Sequence, residues 1–128
     1  MKSHSHEVLI DSGEPRDSGF PIFTAMPWGT HLCLFYETPD DLVDTHVAYF
    51  ETGLKANEFC FWAVSAPLDV ESATAALQRS IPNMDRYLKT GQIEIIPALE
   101  WYLPAPTFEL ERVIQGWDEK LRTGLARG

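Results

Sequence analysis

The sequence predicts an α/β fold with a mainly parallel sheet and helices on both faces. Apolar runs at residues 31–36, 58–64 and 92–96 have the length of strands, and segments with helical spacing separate and follow them. Strand and helix therefore alternate three times, which is the order of a three-layer parallel sheet. A chain of 128 residues, 45% of them hydrophobic, is long enough to form such a domain around one core.

The first predicted unit is a buried strand at residues 31–36 followed by a helix. Thr38 is placed to cap that helix, and Pro39 fits its first turn, where an N–H would have no partner. Gly53 is expected to end the helix in a left-handed conformation. The apolar residues of this helix recur every three or four positions: Leu42, Val43, His46, Val47, Phe50 and Leu54.

The second half of the chain repeats this alternation. A strand at 58–64 leads to a helix opened by residues 65–67, then to a short helical segment ended by Gly91 and a third strand at 92–96. A loop at 100–106 and a last helix capped by Thr107 follow. Because the chain ends on a helix, we expect either a longer natural protein or a sheet that another chain completes.

Composition excludes several classes of protein. A formal charge of −9 without a basic cluster argues against nucleic acid and against an anionic membrane surface. No apolar run approaches the roughly 20 residues of a membrane span, and no signal sequence is visible, so a cytoplasmic protein is expected. Cys33 and Cys60 are predicted to be buried, reduced thiols. Residues 1–20 are expected to form a flexible arm, and residues 21–128 the domain.

Catalysis is not the expected function. The residues after the first predicted strand are acidic and lack the Gly-Lys-Ser/Thr ending of a phosphate-binding loop, which argues against nucleotide hydrolysis. Two alternatives remain open, a cysteine–histidine pair and a metal site. The residues available to them are Cys33, Cys60, His31, His46 and Glu58, whose spacing matches no standard metal site. We therefore expect no enzymatic activity, no cofactor and no metal.

The carboxyl edge of the sheet is the expected place for a ligand, as in other parallel α/β sheets. This rule selects residues 36–38, Ser65 and Ala66, and residues 100–102. Tyr36, Trp101 and Tyr102 supply aromatic rings with a polar edge that can line a small apolar cavity. The alternative is that these large rings only fill the core of a small domain.

Three stretches resemble one known family, the MEDS domain, which is named for methanogens, methylotrophs and the dichloromethane-dehalogenase regulator. The stretches are residues 28–42 (WGTHLCLFYETPDDL), residues 49–54 with 58–60 (YFETGL and EFC), and residues 91–96 (GQIEII). The resemblance implies an α/β sensor module of prokaryotic signalling that recognises simple hydrocarbon derivatives and is usually joined to histidine kinase, phosphatase or DNA-binding domains. It also implies a RecA/KaiC-like core that lacks a Walker A loop.

The resemblance assigns possible ligand contacts as well. His31, Tyr36, Gly53, Glu58 and Cys60 match the family's pattern, with Gly53 expected to serve the fold. Combined with the carboxyl-edge rule, this predicts one ligand-binding set: His31, Tyr36, Glu37, Glu58, Cys60, Trp101 and Tyr102.

The expected function is a sensory or regulatory domain that binds a small organic ligand and signals to a histidine kinase or a transcription regulator. The alternative is a protein–protein interaction module derived from an ATPase-like fold, without a ligand. The open sheet edge and the last helix are the two surfaces through which the sequence allows a homodimer.

Overall fold

The computed structural model describes residues 15–21 and 25–127, which form a mixed α/β fold. The elements in chain order are β1 (Arg16–Asp17), β2 (Ala25–Met26), α1 (Pro39–Lys55), β3 (Cys60–Val64), α2 (Val70–Ser80), α3 (Met84–Thr90), β4 (Ile93–Pro97), α4 (Ala98–Tyr102) and α5 (Leu110–Arg127). Most of the predicted arm, residues 1–14, lies outside the described residues. No helix within the described ranges is both long and apolar enough to cross a membrane.

Two small sheets are present in these ranges. β1 and β2 pair antiparallel, whereas β3 and β4 pair parallel, with Cys60 opposite Ile93 and Val64 opposite Pro97. The chain passes from β3 to β4 through α2 and α3, as a parallel connection requires. The predicted strands at 58–64 and 92–96 are therefore confirmed, each with slightly different ends.

The prediction of a buried strand at residues 31–36 is wrong. These residues are exposed, Phe35 to 93%, and they belong to neither sheet in the described part of the chain. A strand is stable only when its N–H and C=O groups pair with a neighbouring edge, and an apolar run cannot supply that pairing by itself. The parallel unit thus forms around α2 and α3 and not around α1. Within residues 15–21 and 25–127, its sheet has two strands where three were predicted.

Local signals at the helix ends are confirmed where their partners are close in sequence. The Thr38 hydroxyl accepts a hydrogen bond from the Asp41 N–H at 3.2 Å, and the Asp41 carboxylate accepts one from the Thr38 N–H at 2.9 Å. Gly91 ends α3 with a left-handed φ of 69°. The predicted end of α1 at Gly53 is wrong, because the helix continues to Lys55 and Gly53 is buried within it.

Other boundaries differ because contacts distant in sequence decide them. α2 begins at Val70 behind an Asp69–Ser72 capping box, not at residues 65–67, and α5 begins at Leu110, beyond Thr107. Residues 98–102, expected mostly in a loop, form α4. The Arg112 side chain of α5 donates hydrogen bonds to the Trp101 and Tyr102 carbonyls, at 2.9 and 3.1 Å, and so satisfies the end of this short helix.

The core lies on one face of the β3–β4 sheet, beneath the first three helices. Its buried members are Phe50, Leu54, Cys60, Trp62, Val64, Ala73, Leu77, Ile81, Met84 and Ile93. Trp62 is central, because its ring stacks on His46 at 4.4 Å and contacts Phe50 at 5.4 Å between ring centroids. The prediction of a buried thiol is confirmed for Cys60 and wrong for Cys33, which is exposed.

Phe61 points to the opposite face, since side chains alternate along a strand. Its ring contacts Trp101 of α4 at 4.7 Å and Trp117 of α5 at 5.1 Å, and the two tryptophans lie 5.2 Å apart. Helices thus contact both faces of β3. This second face is less completely covered, because Trp117 is 41% exposed whereas Trp62 is 7% exposed.

Candidate functional site

An open cavity of about 530 Å³ lies between the start of β3 and α5, and we call it the α5 cavity. Its volume falls within the range of small-molecule sites. One wall comes from residues near the α1–β3 turn and from the first strand, and the other from α5. The lining residues are Arg16, Trp28, Ala56, Asn57, Glu58, Phe59, Phe61, Trp117, Lys120, Leu121, Gly124 and Leu125.

Arg16 and Glu58 form an ion pair at this cavity. Arg16 Nη2 lies 2.5 Å from Glu58 Oε2, and each side chain is only 15% exposed. The guanidinium carbon is also 5.0 Å from the centre of the Trp28 ring and 5.6 Å from that of Tyr49. A planar guanidinium suits such ring contacts and ion pairing together, so Arg16 is held in one orientation.

Burial changes the chemistry of Glu58. It raises the pKa of this carboxyl, while the charge of Arg16 and its hydrogen bond act in the opposite direction. Gly53 leaves room for this arrangement, because a Cβ atom there would lie 3.0 Å from Glu58 Oε2 and 3.2 Å from Cys60 Sγ. The glycine that was expected to end α1 instead allows the acid and the thiol to approach the helix.

Cys60 lies next to Glu58, inside the core. Burial, together with the nearby Glu58 charge, raises the pKa of its thiol to about 12. Because the thiolate is the nucleophilic form, this cysteine is a packed thiol at neutral pH. Among residues 15–21 and 25–127, no three His, Cys, Asp or Glu side chains are grouped closely enough to hold a metal ion.

Lys120 supplies a second cation to the cavity from α5. Its ammonium pairs with Glu94 of β4 and lies 5.5 Å from the centre of the Phe61 ring and 5.9 Å from that of Trp101. Trp101 packs so closely on α5 that a Cβ atom at Gly116 would come within 2.9 Å of its ring. Rings and ion pair therefore hold Lys120 at the cavity wall.

The structure separates the residues that were expected to form one site. Glu58 lines the α5 cavity and Cys60 lies beside it, both at the amino end of β3. Trp101 and Tyr102 follow the carboxyl end of β4, with Trp101 behind the cavity wall. His31, Tyr36 and Glu37 lie on the exposed segment before α1. Their part in ligand binding stays a prediction.

The carboxyl edge also has a cavity, of about 470 Å³. Ser65 and Ala66 line it, as the carboxyl-edge rule leads one to expect, together with residues 68–71, Val64, Pro97 and Leu99. None of the seven residues predicted to bind ligand lines this cavity. Because it has neither an aromatic wall nor a cation, it is less suited to orienting an organic ligand.

Three important residues of the α5 cavity were missed at the level of sequence. Lys120 follows Trp117 by three positions, so their helical spacing was a usable signal. Trp28 is one of the aromatic residues that can line a cavity, but it was left out of the predicted ligand-binding set. Arg16 belongs to a polar stretch assigned to the arm, and nothing local indicates that it pairs with Glu58, 42 positions (58 − 16) away.

Fold and site together define a small mixed α/β domain with a preformed, partly aromatic cavity between a strand and its last helix. Residues 30–128 match the family model of the MEDS domain, the methanogen/methylotroph, DcmR sensory domain. The chain therefore belongs to the MEDS family of sensory domains. No curated protein and no solved structure matches the chain. Arg16 and Trp28 of the cavity precede the residues that match the family model.

Proposed function

We propose that this MEDS domain is a non-catalytic sensor that binds a small organic molecule in the α5 cavity and signals through α5. The observation that carries the proposal is the composition of the cavity. One wall is held by the Arg16–Glu58 pair, and the other is formed by five residues of a single helix. A ligand that contacts both walls stabilises one position of α5 relative to the rest of the domain.

The position of α5 supports a role in output. Its contacts with the sheet include the Lys120–Glu94 pair and the Trp117 ring contacts, while the apolar side chains along it remain largely exposed. A bound molecule that favours one position of α5 shifts the population toward that position. A partner that contacts the exposed side of α5 then detects the shift.

Finer features of the proposal follow from the family and from the sequence. We propose a cytoplasmic domain that serves a histidine kinase or a transcription regulator and does not itself bind nucleic acid. We also propose a three-layer, RecA-like architecture without a phosphate-binding loop. Helix contacts on both faces of β3 support the layered arrangement.

Thermal unfolding in the presence of one- and two-carbon compounds, short alcohols, thiols, amines and acids tests the proposal. A ligand at 100 times its dissociation constant adds about 2.7 kcal/mol to the free energy of unfolding. We expect Trp28→Ala to abolish the response. Leu99→Ala, in the carboxyl-edge cavity, is the matched control and keeps it. A response lost only in Leu99→Ala moves the site to the sheet's carboxyl edge, and one lost only in Tyr36→Ala moves it to the exposed segment before α1.

The interaction module is a second candidate, favoured by the apolar residues along α5. Leu110, Ile114, Leu121 and Leu125 are each between 57% and 72% exposed. They recur at spacings of four, seven and four residues, which places them along one side of the helix, as in a helix that packs on a partner. Sedimentation over a range of protein concentrations tests this candidate. Dimerisation that Ile114→Glu abolishes, without any ligand response in the thermal experiment, favours it over the sensor.

A further inference from the structure

We infer that the ligand of the α5 cavity is a small organic anion, a carboxylate attached to an apolar group. This inference rests on the proposed function, because it names the chemical class of the molecule that the same cavity binds. It comes from the distribution of charge and of aromatic faces around the cavity, which differs from the acidic character of the chain as a whole.

Two cations line the cavity, Arg16 and Lys120, against one carboxylate, Glu58. Glu94 pairs with Lys120 from β4 but is not part of the lining. With Glu94 included, the four charges balance, whereas the chain as a whole carries a formal charge of −9. An anion is therefore repelled less at this cavity than elsewhere on the acidic chain, and it meets two cations there.

The protein's own cations already lie over several of the aromatic rings in and behind the cavity wall. Arg16 lies over Trp28 and Tyr49. Lys120 lies over Phe61 and Trp101. A ligand ammonium over any of these four rings would have to displace one of these groups from both its rings and its carboxylate. An anion displaces neither group and is attracted by both.

Both cations keep donor capacity for such an anion. Lys120 carries three N–H donors, and its ion pair with Glu94 does not use all of them. Glu58 contacts Arg16 through Nη2, one of several donor nitrogens of the guanidinium. A carboxylate in a partly apolar recess needs charged donors of this kind, because its desolvation is otherwise costly.

The remaining lining accommodates the apolar part of the ligand. Trp28 is 50% exposed and Trp117 is 41% exposed at the cavity, and Leu121 and Leu125 extend the apolar surface along α5. A cavity of about 530 Å³ has room for a phenyl or branched alkyl group beside the carboxylate. The arrangement therefore fits an acid with a compact apolar group better than a simple alcohol.

Calorimetric titration with two matched series tests the inference: benzoate, benzamide and benzylamine, and butyrate, butyramide and butylamine. We expect the carboxylate to bind tightest in each series, with an affinity that falls as salt is added. Lys120→Met is expected to weaken benzoate binding by about 10- to 100-fold, as for a lost hydrogen bond to a charged group, and to leave benzamide unchanged. Lys120→Arg keeps the preference for the acid.

Lys55→Met is the matched control, because Lys55 makes a surface pair with Glu51 and changes the net charge equally. An equal loss in Lys55→Met would reduce the effect to net charge and overturn the inference. Tighter binding of the amides or amines overturns it as well, but leaves the sensor proposal standing. If none of these six compounds binds, the inference falls; if the wider panel is also silent, the sensor proposal falls with it.

Discussion

The two faces of the β3–β4 sheet carry similar aromatic residues but differ in how completely helices cover them. On one face, His46, Phe50 and Trp62 form a ring cluster that the first three helices cover, and Trp62 is only 7% exposed. On the other face, Phe61, Trp101 and Trp117 form an equally tight cluster, but Trp117 is 41% exposed at an open cavity. The same type of cluster is core in one place and a cavity wall in the other.

The charges divide less sharply than the rings. Burial lowers the pKa of His46 on the covered face. Lys120 pairs with Glu94 on the open face, whereas the Arg16–Glu58 pair lies between the two faces, against Gly53 of α1 and at the α5 cavity. The type of residue therefore does not determine whether an aromatic side chain stabilises the fold or lines a site. The elements that pack over the ring determine this.

The largest expected effect is on the covered face. Leu77 is fully buried, so Leu77→Ala should lower the free energy of unfolding by about 2–5 kcal/mol, from lost burial and the remaining cavity. Leu125→Ala, on the open face at 72% exposure, should change it by less than about 0.5 kcal/mol. Urea unfolding measures both. Equal losses would mean that the two faces contribute equally to the free energy of unfolding, which would contradict the difference described above.

The next effect tests how tightly the open face is packed. Gly116→Val should destabilise the fold by about 1–3 kcal/mol, because a branched side chain displaces the Trp101 ring that lies 2.9 Å from the Cβ position. Gln115→Val, at an exposed neighbouring position of α5, measures the effect of a valine in this helix away from the Trp101 ring; helix propensity by itself would favour the Gly116 variant. Tryptophan fluorescence should change only in the first variant. A Gly116→Val protein as stable as Gln115→Val would show that Trp101 moves freely.

A smaller effect is expected where neither face is involved. Thr38→Ala should cost about 1 kcal/mol, because it removes the cap of α1 at the Asp41 N–H. Thr123→Ala, which removes only a hydroxyl bonded to a carbonyl inside α5, is the control. The unfolding midpoint in urea should fall in the first variant and hardly change in the second. A fall confined to Thr123→Ala would contradict the role given to the cap.

The smallest expected effect concerns pH. Burial lowers the pKa of His46 from 6.5, so the folded state prefers the neutral ring. The contribution of the neutral His46 ring to the free energy of unfolding is complete above pH 6.5. It is lost as the pH falls from 6.5 through the lower pKa that His46 has in the folded protein. His46→Phe keeps the stacking and removes this dependence. Urea unfolding at about pH 7.5 and about pH 5.5 measures how much more stability the parent protein loses than His46→Phe. An equal loss in both proteins would contradict the role given to His46.

Local interactions explain which predictions succeeded. The cap at Thr38 and the left-handed Gly91 involve residues within four positions of one another, so the residues themselves indicate them. Strands β3 and β4 are also visible, because both are short apolar runs between clear turns. Even the alternation of Phe61 and Trp62 between two faces follows from the geometry of a strand.

Long-range contacts explain the rest. The segment at residues 31–36 has the composition of a strand, but it is exposed and pairs with no strand in the described part of the chain. Arg112 stabilises α4 from another helix, and Arg16 reaches Glu58 from a stretch that carries no local signal.

By itself, the sequence determined the α/β class, the family, the capped helix and the two paired strands, because spacing and neighbouring side chains decide these features. Only the tertiary structure decided that the cavity lies at the amino end of β3, beside α5. The physical reason is that a cavity is set by what packs over each residue, and such packing brings together side chains far apart in the chain.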